Sequence, residues 1–97
     1  MQPKFKLGRV VITPLAIDAL QESEQSPEHF LELHASGSWG DLCAEDRRLN
    51  DDAIAHEDDP DRRSRVFSSY RTAAGTKLYV VTEHDRSLTT LLLPEEY

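Results

Sequence analysis

The chain has 97 residues, of which 38% are hydrophobic and 30% charged, and its formal net charge is −7. That length allows one domain over residues 1–97 with a modest core, and the acidic balance argues against direct nucleic-acid binding, which needs clustered Lys/Arg. The one cysteine, Cys43, excludes an internal disulfide and a cysteine zinc cage, and no apolar run nears a signal-peptide core or the roughly 20 residues of a spanning helix, so a cytoplasmic protein away from membranes is expected.

The first strand is predicted over residues 5–13, where Phe5 and Leu7 alternate with polar neighbours before Val10, Val11 and Ile12. Thr13-Pro14 then reads as an N-cap followed by a first helical residue. Leu15, Ala16, Ala19 and Leu20 give helical spacing to about residue 21. Ser26-Pro27 repeats the signal, with Phe30, Leu33 and His34 at i, i+3 and i+4 and Gly37 as the left-handed stop. Residues 36–41 form a loop by their glycines. Asp41 is placed to cap a third helix covering residues 45–56. The stretch HEDDPDRR, residues 56–63, holds Pro60 and no apolar residue and reads as a free, dispensable loop. A β-meander closes the chain, with strands predicted over 65–72, 77–83 and 88–93, and Pro94 as the stop.

Charge follows this division. Between Asp18 and Asp61 there are fourteen acids against two basic residues, Arg47 and Arg48, a balance of −12. The rest carries nine Lys/Arg against four acids. The helices therefore present an acidic surface and the strands a more basic one.

The runs WGDL (39–42), EDRRLND (45–51) and TEHDRSLTTLLLPEEY (82–97), with the GRVVITPLAIDAL start, resemble a family of small single-domain bacterial proteins found near plasmid and other mobile-element genes. Members carry automatic names such as "plasmid-related protein" and "type I restriction endonuclease subunit M". The resemblance covers about residues 5–97 and is most specific in its C-terminal block. It implies an association with mobile DNA and no defined activity. No glycine-rich loop follows the first strand, so a doubly wound cofactor domain is not expected.

Trp39, Asp41, Asp46 and Asn50 form the sharpest local cluster. Asp46 and Asn50 share a helix face at i, i+4, with Asp41 at its start. They read either as a polar site beside an indole, joined by Arg86, or as caps and strand contacts. Arg86 is expected partly buried and paired with an acid of residues 39–50. His29, His34, His56 and His84 lack metal-ligand spacing, so no metal or cofactor is expected, and His34 beside Phe30 reads as a satisfied packing histidine. Phe67, Tyr70 and Tyr79 read as core and cross-strand pairs, or as a stacking platform.

The fold expected is α+β: a single small domain with a three- to four-stranded antiparallel sheet and two to three helices on one face. The function expected is a non-catalytic bacterial protein-interaction module associated with mobile DNA. It acts through an acidic helical face of Glu24, Glu28, Glu32, Asp51 and Asp52 on a basic protein, a nucleic-acid enzyme being one such partner. Two alternatives stand beside it. One is a nucleic-acid-mimicking inhibitor of a host nuclease or defence complex. The other is a small enzyme or ligand-binding protein using the Trp39, Asp41, Asp46 and Arg86 region. The oligomeric state is open.

Overall fold

A computed structural model describes residues 3–97. Its elements are β1 (Arg9–Ile12), α1 (Pro14–Glu22), α2 (Pro27–Ala35), α3 (Ala44–Ala55), β2 (Val66–Arg71), β3 (Lys77–Thr82), β4 (Leu88–Leu92) and a closing 3-10 turn, Pro94–Glu96. The fold is α+β, and the sheet runs β1-β4-β3-β2. β2, β3 and β4 form the predicted antiparallel meander. β1 pairs parallel with β4, so the sheet is mixed rather than antiparallel throughout. Three helices separate β1 from β2, which gives the chain the long crossover that a parallel pair needs.

The two predicted helix starts are built as their sequences read. Thr13 Oγ1 accepts from the Ala16 amide at 3.2 Å and Ser26 Oγ from the Glu28 amide at 3.1 Å, each with proline at the first helical position. α2 ends at Gly37, φ 86°, where the Gly37 amide donates to the His34 carbonyl and the Ser38 amide to the Leu33 carbonyl. α1 ends on the same bond pattern with Glu24 in the left-handed position, φ 53°. α3 departs from expectation. Its N-cap residue is Cys43, with no side-chain cap, while the Asp41 amide donates to the Ser69 carbonyl at 2.6 Å.

β1 begins four residues later than predicted. Gly8, φ 67°, packs its backbone against Arg86 and Ser87, where any Cβ would overlap their main chain. The chain before it turns away from the sheet, and Phe5 enters the core against Trp39.

The helices pack on one face of the sheet. Val66, Ser68 and Tyr70 of β2, Leu78, Val80 and Thr82 of β3, and Thr89 and Leu91 of β4 are all buried there. Ala16, Ala19 and Leu20 of α1 and Phe30 of α2 close the larger core, and Phe5, Trp39, Ala53 and Val66 a smaller one. Full burial of a Leu- or Phe-sized side chain contributes roughly 1.5–3 kcal/mol. The opposite face carries Phe67 and Tyr79, whose rings meet edge-on at 4.6 Å, with Tyr97 beside both.

The β2 edge is guarded. The outward amide and carbonyl of Phe67 are both taken by the Asn50 side chain, at 3.1 and 2.6 Å. Those of Ser69 are taken by the Trp39 carbonyl and the Asp41 amide. Gly40 makes this approach possible, since a Cβ there would overlap the Ser69 carbonyl and the Tyr70 ring.

Candidate interaction site

The residues of the predicted polar cluster separate. Trp39 is buried, and its Nε1 donates to Asp51 Oδ1 at 3.0 Å. Asn50 is buried and spends its amide on the β2 edge. Asp41 and Asp46 are exposed, and the only cation near Asp41 among the described residues is Arg71, at 3.9 Å. An exposed pair of that length contributes at most about 1 kcal/mol.

Arg86 is buried, as expected, but its partner is Glu57, not an acid of residues 39–50. Nη2 donates to Glu57 Oε1 at 2.7 Å and Nε reaches both carboxylate oxygens. Nη1 donates to the carbonyls of Ser64 and Glu83 at 2.8 and 3.0 Å. The side chain thus ties the β3–β4 corner to the segment after α3. That segment is correspondingly not free. Arg63 Nε also donates to the His84 carbonyl at 2.9 Å, so residues 56–63 carry docking contacts although they offer no apolar side chain. Arg86 itself holds φ 61°, an uncommon conformation for a residue with a Cβ.

Phe5 links these parts. The Arg86 guanidinium carbon lies 5.4 Å from the Phe5 ring centre, the Trp39 ring stacks on Phe5 at 6.2 Å, and the His34 ring meets it edge-on at 5.2 Å. The structure therefore brings Trp39 and Arg86 to one small core, each facing a structural partner, and leaves Asp41 and Asp46 outside it.

His34 is fully buried and bonded at both nitrogens. Its tautomer follows from counting hydrogens. Thr89 Oγ1 donates to the Leu7 carbonyl at 2.7 Å, so Thr89 accepts from Thr82, at 2.7 Å. Thr82 then accepts from His34 Nε2–H at 2.8 Å, and Nδ1 accepts from the Ser68 hydroxyl at 2.5 Å. The result is one directed chain joining α2, β2, β3, β4 and the N-terminal segment. Burial, and secondarily the Arg86 charge, lowers the His34 pKa to about 3, so the ring is neutral at physiological pH. Tyr70 lies on the same buried face, and burial pushes its hydroxyl up to about 12, opposed by the Ser68 hydroxyl. It is therefore parted from Phe67 and Tyr79, which face the other way.

A groove of about 290 Å³ runs between the N-terminal segment and α2. Leu7, Leu31 and Ala35 give it apolar surface, and Glu28 and Glu32, one helical turn apart, give it two exposed carboxylates. The Ser26 hydroxyl and the Glu28 backbone amide hold the Glu28 carboxyl below its usual range, so it stays charged at neutral pH. Of the other predicted partner residues, Glu24 lies in the α1–α2 link and Asp51 and Asp52 on α3; all are exposed and none lines the groove. The sequence marked Glu28 and Glu32 by charge alone; the apolar surface beside them depends on Leu7 folding back along α2.

The opposite sheet face is of different character. A cleft of about 530 Å³ there is walled by Leu49, Arg65, Phe67, Tyr79 and Tyr97, with Asp46 at its margin. The Arg65 guanidinium lies 5.7 and 5.8 Å from the Phe67 and Tyr97 ring centres. Among the described residues, no three His, Cys, Asp or Glu side chains gather to hold a metal ion, and no helix is long and apolar enough to cross a membrane. Comparison of the chain with protein-family models, curated proteins and solved structures finds no match.

Proposed function

We propose that this protein is a non-catalytic interaction module, of the mobile-DNA setting that the resemblance implies, and that the α2 groove receives Lys or Arg side chains of a basic protein partner. The observation that carries this reading is the pairing of an apolar surface, Leu7, Leu31 and Ala35, with the Glu28 and Glu32 carboxylates. A long basic side chain matches both halves, because its methylene stem covers apolar surface while its charged head meets the acids. The wider acidity of the helices adds long-range attraction, which speeds encounter with a basic partner and repels phosphate backbones.

The test is binding of a fluorescently labelled Lys/Arg-rich amphipathic peptide, followed by anisotropy across a salt series. The intact protein should bind with an affinity that falls as salt rises. The double variant Glu28→Lys/Glu32→Lys, shown folded by circular dichroism, should lose at least about tenfold in affinity, equivalent to about 1.4 kcal/mol. Leu31→Ser, which removes apolar surface from the groove and leaves the net charge unchanged, should weaken binding with little change in its salt dependence. Equal affinity and equal salt dependence for the charge-reversed variant would sink the proposal, as would tighter binding to duplex DNA than to the peptide.

A further inference from the structure

The two edges of the sheet are treated differently. The β2 edge is closed by Asn50 and the Trp39–Gly40–Asp41 backbone. Among the described residues, the β1 edge has no such cover. The Arg9 amide donates to the Ser87 carbonyl and the Thr13 amide to the Leu91 carbonyl, so the odd residues of β1 turn their main chain inward to β4. The amides and carbonyls of Val10 and Ile12 therefore point outward, and among the described residues no partner takes them. Val10 and Val11 are 40% and 38% exposed, although both are β-branched and apolar. Natural edge strands are blunted by shortness, charge, proline or a bulge; β1 is short and opens with Arg9, but its Val10-Val11-Ile12 run carries no charge, proline or bulge.

We propose that β1 is a self-association edge, and that it pairs antiparallel with β1 of a second copy of this chain about a two-fold axis at Val11. The main chain permits this register because outward-facing residues must pair with one another. Val10 faces Ile12 of the other copy, and the amide and carbonyl of each are satisfied by the other, twice over by symmetry. Val11 meets its own copy directly across the axis. Val10 and Ile12 share the helical face, so every direct pair between the two strands is apolar until Arg9.

Charge selects the same register. Arg9, which is exposed and has no carboxylate partner among the described residues, falls opposite Thr13 of the second copy. Beside Thr13 lies the Glu96 carboxylate, which accepts from Thr13 Oγ1 at 2.7 Å. Each Arg9 thus reaches a Glu96 across the interface, and no like charges face each other directly. The product is a continuous eight-stranded sheet with the helices of both copies on one side. The other strand edge stays closed, so association stops at two copies.

The test is sedimentation velocity over a wide concentration range, combined with cysteine cross-linking in a Cys43→Ser background. The intact protein should approach twice its 11.0 kDa chain mass as concentration rises. Val11→Lys should remain at one chain mass, because it sets like charges face to face on the axis. Val11→Cys should cross-link to itself on mild oxidation, since directly opposed residues of a non-hydrogen-bonded pair lie about 4.5 Å apart between Cα atoms, within disulfide reach. Val10→Cys, equally exposed, should not, because it faces Ile12. An intact protein that stays at one chain mass throughout overturns the proposal. So does a Val11→Lys dimer of unchanged affinity, which would place the contact elsewhere. Should Val11→Lys fail to fold, the cysteine pair decides alone: faster cross-linking at position 10 than at position 11 rejects the register.

Discussion

Phe5 has a charged side chain on one flank and a neutral one on the other, both deep in the fold. Arg86, 5.4 Å from its ring centre, carries a guanidinium that is always charged, and its burial is compensated by Glu57 and by backbone carbonyls that take the remaining donors. His34, whose ring centre is 5.2 Å away, gives up its charge because burial strips water from it and, secondarily, because Arg86 opposes a second cation. The same small core therefore stabilises one cation and excludes another. A guanidinium cannot shed its proton and so must be paired when buried, whereas an imidazole can go neutral. The two anchors also join different things. Arg86 fastens a corner to a loop, while the His34 chain fastens α2 to three strands and the N-terminal segment.

Acid breaks this comparison most strongly. The His34 pKa is about 3 in the fold against 6.5 in the free side chain. Its contribution to stability is complete above about 6.5. As pH falls, the unfolded chain takes up a proton that the fold refuses, and the contribution is lost progressively down to about pH 3. The difference amounts to on the order of 4–5 kcal/mol. Urea melts at pH 7 and pH 4 should show that trend, and nitrogen NMR of the imidazole should show an Nε2–H tautomer that does not titrate between pH 7 and pH 5. A His34 that titrates near 6.5 in the folded state would remove the contrast.

Glu57→Ala should destabilise by about 3–5 kcal/mol, because it strands the Arg86 charge. Replacing both partners, with Arg86→Met and Glu57→Gln, should cost much less than Glu57→Ala alone, since no charge is then left unanswered. The double variant should also raise the His34 pKa, because the opposing cation is gone. Denaturant midpoints and the histidine titration measure the two effects separately.

A smaller effect is expected at the far end of the neutral chain. Thr89→Val keeps the shape and removes a hydroxyl, leaving Thr82 without its acceptor and the Leu7 carbonyl without its donor. The cost should be about 1–3 kcal/mol. If Thr89→Val and Glu57→Ala destabilise equally, the charged and neutral anchors are not distinct in kind.

The smallest change lies remote from both anchors. Glu24 holds a left-handed conformation at the end of α1, so Glu24→Gly should stabilise by up to about 1 kcal/mol, read as a rise in melting temperature. It also removes one of the acids proposed for partner attraction, outside the groove. Peptide affinity should therefore fall only slightly.

Much of the local structure was legible in the chain. Thr13-Pro14 and Ser26-Pro27 mark their helix starts because proline and a hydroxyl act within one turn. Gly37 marks a stop for the same local reason. The meander strands lie within a residue or so of their predicted ends. Charge segregation by element was likewise readable, since it needs only residue types and the knowledge of which segments are helical. His34 was readable as a packing residue from its spacing with Phe30, although its partners were not.

What lay outside the sequence were choices between distant partners. Alternation tells which face of a strand is buried, not which strand lies beside it, so the parallel pairing of β1 with β4 required the whole crossover. Arg86 chose Glu57, not Asp41 or Asp46, because the chain after α3 returns past the β3–β4 corner. Asn50 closes a strand edge that exists only once β2 is placed, and Phe5 left its predicted strand because Gly8 bends against Arg86 and Ser87. Propensity, capping and charge act within a turn or a strand, and the sequence by itself determined those. Pairing, edge protection and the fate of each buried charge depend on groups far apart along the chain, and only the tertiary structure decided them.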